Sequence, residues 1–584
     1  MNTQFKEEQY TVDFCVVGGG LSGMLAAIAA ARGGASVALI QDRAVLGGNA
    51  SSEIRMWVGG AQGKNMRETG IIEDLMLDNA FYNPDRNPSL WDAVLFGAVR
   101  YEPGIKLFLN CTCNKAEMDG NRIVSVTGWQ MTTQKMITVR AKLFADCSGD
   151  SVLAPLTGAD FRFGREARAE FGESIEPETA DSHTMGMTCL IQARETTSPQ
   201  PYTPPPWANK YETDEDMTRS FKNFRAAGNW WWLELGGMRN TIDDAEEIRD
   251  DLLKVAFGVW DHYKNKGDHG AENWKLDWVG FLPGKRESRR YLGDCIMTQN
   301  DIRAEGRFDD IVAYGGWSMD DHNPKGFETH EPPTIFHKAP SPYGIPFRSL
   351  YSRNIENLMF AGRNISVTHA ALSSTRVMAT CAVIGQACGA GAALAIKYNT
   401  TPRGVAKDHV HELQQTLLRD DCYLPFVKRD IPELTLKGSL TAQDGDPAAL
   451  VNGVDRPVGE ATNAFDCTLG HAVELAFAAP EKVSEVRLVF DSDLNREGDY
   501  GHHHNLLHEF ELNRRQQVIP ASLVRDFRIE AFDGSAWKEV ARVTDNHRRL
   551  VKVPLDVEAK AIRVIPEKLW SEQNIARIFA FDAK

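Results

Sequence analysis

Continuous apolar runs alternate with glycine turns at the start of the chain. Residues 12–18, VDFCVVG, form one such run, and Gly18-Gly19-Gly20-Leu21-Ser22-Gly23 follows it. A small, apolar helix is predicted to about Arg32, and residues 36–41, SVALIQ, form the next run. Short apolar runs bounded by turns are the pattern of strands buried on both faces. Strand, glycine turn, helix and second strand at this spacing predict a dinucleotide-binding unit.

Residues 160–345 differ in character, with a Pro-rich surface loop (Ser198 to Trp207), the run Trp230, Trp231, Trp232 and an acidic surface helix predicted over Asp243 to Val259. Residues 354–396 return to strand, glycine and a long small-residue helix, and another helix is predicted at about 404–418. From about residue 431 the period changes to two, in VELAF, EVRLVF, FRIEAF and AIRVIP. Alternation broken by Gly, Asp and Pro turns predicts an all-β sandwich. The expected organisation is a first nucleotide-binding part over 1–160, an α+β substrate (cap) domain over 161–345, a second nucleotide-binding part with a helical linker over 346–430, and a β-sandwich over 431–584.

Composition narrows the classes. Of 584 residues, 42% are hydrophobic and 25% charged, which excludes a disordered chain, a collagen and a coiled coil. A net charge of −15 argues against a nucleic-acid partner. The longest candidate for a membrane span is the Ala-rich stretch Met24 to Ala31, too short to cross, and the N-terminus MNTQFKEEQY lacks a signal-peptide core. A cytoplasmic location is the expectation. The ten cysteines include a CxC (Cys111, Cys113) and a pair on one helix face (Cys381, Cys388), without zinc spacing, and are expected to be reduced and mostly buried.

Gly18-x-Gly20-x-x-Gly23 has the context its chemistry needs. The first glycine permits the tight turn, the second lets the backbone approach a pyrophosphate, and the third lets helix and strand pack closely. The helix N-terminus then meets the phosphates. At the end of the second strand, where a ribose-binding acid is usual, stand Gln41 and Asp42, and either can serve.

Three more segments bear on the cofactor: RAVLGGNASSE (43–53), LFADCSGDSVLA (143–154) and NLMFAGRNISVTHAALSSTR (357–376). With these, residues 11–425 resemble the FAD-dependent oxidoreductases related to the fumarate reductase flavoproteins, and more closely a bacterial family that often carries a C-terminal β-sandwich. The resemblance implies an α/β fold with a Rossmann-like (GR2-type) FAD-binding domain. It implies FAD beside Arg43, Gly47, Gly48, Asn49, Ser51, Gly362 and Arg363, with Gly149 and Asp150 on the ribityl–phosphate side. The helix after Gly362 is expected to aim its N-terminus at the flavin pyrimidine, where its dipole would stabilise negative charge. Some relatives attach flavin to a histidine after the second strand. No His lies between Met1 and Asp181, so non-covalent FAD is expected.

Candidate catalytic groups follow. FLPGKRESRRYLGD (281–294) is basic, and Arg286 with Arg289 is expected to clamp carboxylate or hydroxyl oxygens. Oxidising an alcohol needs a base for the hydroxyl proton, and His322 (in GGWSMDDHNP) and His369 are the candidates. In WWWLE, a hydrophobic core competes with a sugar-stacking platform in which Glu234 bonds hydroxyls. His502, His503, His504 and His508 read as an exposed loop rather than a metal site, and no metal is expected. Residues 431–584 resemble a galactose-binding-like (discoidin-like) module.

The expected reaction is oxidation of a secondary alcohol of a carbohydrate or polyol by hydride transfer to FAD, with a small-molecule substrate such as a glycoside and an electron acceptor the sequence does not name. The alternatives are a fumarate-reductase-like reduction of an activated C=C bond, and a flavin-using glycan lyase or hydrolase without net redox.

Overall fold

The computed structural model describes residues 5–220, 228–496, 503 and 505–584. The chain forms two compact units, and neither is contiguous. One comprises Met1–Ala61, Asp85–Leu413 and His502–Gln516; the other comprises Gln62–Pro84, Gln414–Gly501 and Gln517–Lys584. The boundary ahead of the sandwich strands falls between Leu413 and Gln414 in this division, and two short segments group away from their sequence neighbours.

In the first unit, strands β1 (Lys6–Val17), β2 (Val37–Ile40), β3 (Ile105–Phe108), β4 (Cys111–Asp119), β5 (Arg122–Gln130) and β6 (Lys135–Asp146) form one sheet in the order β3-β2-β1-β6-β5-β4, and the strand Leu358–Phe360 pairs with β6. β3, β2, β1, β6 and Leu358–Phe360 run parallel, whereas β4 and β5 are antiparallel. The predicted apolar runs are the buried ends of β1 and all of β2. Helix α1 (Leu21–Arg32) follows the glycine turn, and Met24, Leu25 and Ile28 are fully buried. Burying each such side chain contributes about 1.5–3 kcal/mol.

The cap has its own core. Helix α2 (Ala245–Asn265) buries Ile248, Leu252, Val259, Trp260 and Tyr263 against Trp230 and Trp232, and exposes Glu246, Glu247 and Asp250 on the other face. The short strands β7 (Met187–Thr188), β8 (Glu234–Leu235) and β9 (Gly284–Lys285) form a sheet with β7 in the middle, so Glu234 and Gly284 both stand opposite Thr188. β10 (Met319–His322) pairs with β11 (Thr334–His337).

After Leu358–Phe360 come the short helix α3 (His369–Thr375) and the long helix α4 (Met378–Lys397). A β-carbon on Gly385 would stand 2.1 Å from the Ser22 carbonyl oxygen, and one on Gly389 would stand 2.1 Å from that of Ala26. Glycines four apart thus let α4 lie backbone to backbone on α1. The expectation that no stretch reaches spanning length is corrected here: α4 is long and apolar enough to cross a membrane. Its most apolar stretch is 94% buried within the protein, as in a core helix.

The second unit is the β-sandwich. Strands β12 (Ser439–Ala442), β13 (Phe465–Thr468), β14 (Val473–Phe490), β15 (Val524–Phe532), β16 (Trp537–Val543), β17 (Leu550–Leu569) and β18 (Ile575–Ala583) pair antiparallel in the order β13-β18-β14-β17-β15-β16, with β12 on β14. Register shifts such as that between Ala476 and Glu481 bend the long strands around a core that includes Leu475, Leu488, Phe527 and Ile562. The helix Ile71–Tyr82 adds Leu77 and Ala80 to this core. All ten cysteines are free thiols, and every one except the half-buried Cys295 is buried.

Candidate active site

The glycine turn meets the loop after β2 backbone to backbone. Gly47 donates its N–H to the Gly19 carbonyl at 2.9 Å, and Gly20 pairs with Gly47 as an isolated bridge. Gly18 (φ +105°) lies against the Cys147 backbone, and Gly23 against the Gly18 carbonyl. Gln41 is buried and closes the turn: its Oε1 accepts from the Gly19 N–H at 2.6 Å and its Nε2 donates to the Val45 carbonyl at 3.1 Å. Asp42 is exposed beside Arg43 (3.7 Å), which also lies 3.5 Å from Glu53. Ser51 Oγ donates to the Gly48 carbonyl, and Asn49 Nδ2 to the carbonyl of Lys285 on β9.

A second cluster forms where β6 and the strand Leu358–Phe360 end. Asp150 accepts from Lys285 (2.8 Å), Ser288 (2.8 Å) and Arg363 (2.7 Å), and the Arg363 guanidinium covers Gly149. Burial would raise the Asp150 carboxyl, but Arg363 and Lys285 outweigh it and hold it down at about 2. Gly362 takes φ +112°, which glycine adopts without strain.

Two carboxylate–histidine–carboxylate sets occupy the cap side. His322 Nδ1 lies 2.6 Å from Glu234 and its Nε2 lies 3.3 Å from Asp320. His369 Nδ1 lies 2.9 Å from Glu287 and its Nε2 lies 3.2 Å from Asp321. Both rings are buried. Ionised carboxylates only accept, so His369 bonds its two partners as an imidazolium. For His369, burial opposes the charge, but Glu287 and Asp321 prevail and raise its pKa well above the ordinary value. Both nitrogens of each ring are engaged, and for His369, held as a cation, the expectation of a base is corrected. Burial likewise opposes the charge on Glu234, yet Arg286 and His322 keep it below the usual carboxylate range.

The arginines divide. Arg286 is buried, donating to Thr188 Oγ1 (2.9 Å) and the Trp231 carbonyl (2.7 Å), 3.5 Å from Glu234. Arg290, also buried, bonds Glu287 and Glu166. Arg289 instead lies over the Phe161 ring at 5.5 Å, which corrects its pairing with Arg286. The second guanidinium of the His322 set is that of Arg376, 3.2 Å from Asp320, a residue the sequence pattern does not single out. Trp230 and Trp232 are core residues, and Trp231 alone stands edge-on to His322, at 5.6 Å between ring centres.

The N-terminus of α3 is also corrected. Its first N–H groups are taken within the protein: His369 donates to Glu166 (2.9 Å), Ala370 to Glu176 (2.7 Å) and Ala371 to Thr368 (3.2 Å). Helix α4, which begins just after Arg376, has no side-chain cap.

Of the histidine run, His502 and His504 lie outside the described residues. His503 is buried rather than exposed, and the His508 ring lies 4.0 Å from that of Trp57.

A sequence profile described as FAD dependent oxidoreductase matches residues 13–417. The chain belongs to that family, and it is an enzyme of the FAD-dependent oxidoreductase class. No match is found among curated proteins. Similar solved structures include the family 32 carbohydrate-binding module of Streptococcus pneumoniae EndoD, at 13% identity and TM-score 0.19 over 25% of this chain and 97% of that one. Another is the family 32 module of C. perfringens NanJ in complex with galactose, at 11% identity and TM-score 0.19 over 26% and 94%. A third is chitosan-binding module 1 of a Paenibacillus sp. IK-5 chitosanase/glucanase, at 13% identity and TM-score 0.18 over 26% and 97%.

The family's cofactor can be tested against the glycine cradle. A β-carbon on Gly20 would meet nothing nearer than the Gly48 Cα at 3.9 Å, so the turn opens onto free space. Arg43 Nη1 and Arg363 Nε are buried donors without a hydrogen-bond partner. Backbone amides and guanidinium donors are the set a pyrophosphate requires. The residues fit FAD.

Proposed function

We propose that this oxidoreductase oxidises a secondary alcohol of a carbohydrate or other polyol, with FAD held non-covalently. Gly18, Gly20, Gly23, Gly47, Gly48 and Asn49 would hold the pyrophosphate, and Gly149, Asp150, Gly362 and Arg363 the ribityl side. FAD, when bound, supplies the two-electron acceptor. The observation that carries the substrate class is the set around His322: two carboxylates, two guanidinium groups and the Trp231 ring, all from the cap except Arg376, which follows α3. Carboxylates and guanidinium groups bond hydroxyls, and an aromatic face packs on the C–H face of a sugar.

The two histidines take different parts in this reading. His369 is fixed as a cation by two close carboxylates and positions α3 against Glu287 and Asp321. His322 holds Glu234 at 2.6 Å but Asp320 only at 3.3 Å. In the neutral ring, with Nδ1–H held on Glu234, Nε2 would accept the proton of a substrate hydroxyl that takes the place of the longer contact. Asp320 keeps its place through Thr334 and Arg376. The buried Nε of Arg376, which has no hydrogen-bond partner, favours a second reading in which Arg286 and Arg376 hold the carboxylate of an unsaturated acid to be reduced.

The test is anaerobic mixing of the FAD-loaded protein with sugars, glycosides, polyols and carboxylates. Bleaching of the visible flavin band by a polyol supports the oxidase reading. Recolouring of chemically reduced flavin by an unsaturated acid, without bleaching by any polyol, replaces it with the second. His322→Gln is expected to slow bleaching at least about 100-fold with FAD retained; unchanged bleaching would remove His322 from the role of base.

A further inference from the structure

Away from the cradle and the His322 set, one side-chain group in the cap has the geometry of a metal centre. His262 lies near the C-terminal end of α2, His269 in the loop beyond it, and Asp214 in the segment 211–219. His262 Nε2 is 2.7 Å from Asp214 Oδ1 and 3.2 Å from His269 Nε2, and His269 Nε2 is 3.4 Å from the same Oδ1. A tetrahedral ion with bonds of about 2.0–2.2 Å requires ligand atoms about 3.3 Å apart. Two of the three edges match, and the carboxylate closes the third slightly short.

The tautomer of His262 supplies an independent reason. Its Nδ1 lies 2.9 Å from the Tyr211 carbonyl oxygen, which can only accept, so Nδ1 carries hydrogen. In the neutral ring the Nε2 lone pair then points at a carboxylate oxygen and at a second imidazole nitrogen. Something positive must lie between them. One metal ion serves all three atoms at once. A backbone carbonyl holding the far nitrogen of a ligating histidine is the usual support of such centres. Both rings are buried, and the Asp214 side chain is about half exposed (48%), which leaves a side open for a water as fourth ligand.

We propose that Asp214, His262 and His269 bind a divalent transition-metal ion of the zinc class. Two imidazoles and one carboxylate suit Zn²⁺ and not the all-oxygen cages that Mg²⁺ and Ca²⁺ take. The ion ties the segment 211–219 to the end of α2. Within that segment Met217 belongs to the tryptophan core, and Arg219 donates to the Trp232 carbonyl, two residues before Glu234. The metal is thus a structural staple for one wall of the cap, separate from the flavin chemistry.

The experiment uses the full chain with FAD bound, stripped with a chelator and dialysed against Zn²⁺ or Mg²⁺. Elemental analysis is expected to find one equivalent of retained Zn²⁺ and no Mg²⁺, and the melting temperature is expected to rise with added Zn²⁺. Asp214→Asn, on the most exposed ligand, is expected to fold normally by circular dichroism and bind Zn²⁺ at least about 100-fold more weakly. His269→Gln is expected to behave alike. Folded wild-type protein that retains no Zn²⁺, or both variants retaining it as tightly as wild type, would overturn the proposal: in the first case the contacts are proton-bridged, in the second the metal sits elsewhere.

Discussion

A β-carbon added at Gly20 would meet open space, but one at Gly23 would lie 1.8 Å from the Gly18 carbonyl oxygen. Gly20→Val is therefore expected to leave the fold intact and abolish FAD uptake, read as lost flavin absorbance with unchanged circular dichroism. Gly23→Val is expected to abolish folding itself. The glycine motif was legible because each glycine answers a local backbone demand. The direction of Arg289 was not, because in RESRR the partners Glu166, Glu234 and Phe161 come from distant segments. Glu176 makes a pH prediction. Burial pushes its carboxyl up from the ordinary 4.5 to about 7. A carboxyl whose pKa is raised by folding stabilises the fold fully below its unfolded value, and that stability is lost as pH rises through the folded one. The loss is on the order of 3 kcal/mol. Wild-type melting temperature is expected to fall between pH 5 and 8, and Glu176→Gln, which still accepts from the Ala370 N–H, is expected to flatten that slope.

Helices α1 and α4 show how far a pattern of small residues reads. The small residues of GQACGAGAALA predict a helix over this stretch, and the structure adds what they are for: Gly385 and Gly389 meet the backbone of α1 at Ser22 and Ala26. Gly389→Ala would force the helices apart at a cost of about 1–3 kcal/mol, measurable as a lower denaturation midpoint. The capping of α3 could not be read in the same way. Glu166, Glu173 and Glu176 reach Thr368, His369 and Ala370 from about 200 residues upstream, and no local signal marks a helix as capped from so far away. Helix α2 was recognised by its acids, but Trp260 and Tyr263 on its other face decide where it lies.

At the scale of the molecule, the change in hydrophobic period near residue 431 located the sandwich strands but not the unit that contains them. The helix Ile71–Tyr82, which contributes Leu77 and Ala80 to the sandwich core, precedes those strands by most of the chain, and nothing in its apolar pattern names its partner. A fragment spanning 431–584 is expected to lack a cooperative unfolding transition, and a mixture with a peptide of residues 62–84 to recover part of it; a sharp transition in the fragment alone would contradict the two-unit division. The same interleaving sets a timetable for synthesis. At roughly 5–20 residues per second, the ribosome needs about 20–80 s to pass from Tyr82 to the first residues of β14. Throughout that interval the apolar face of Leu77, Ala80 and Phe81 has been made and its core has not. The nascent chain must carry an uncovered apolar helix face through most of its own translation, and ribosome-bound chains that end before β14 are expected to recruit chaperones that shield apolar segments.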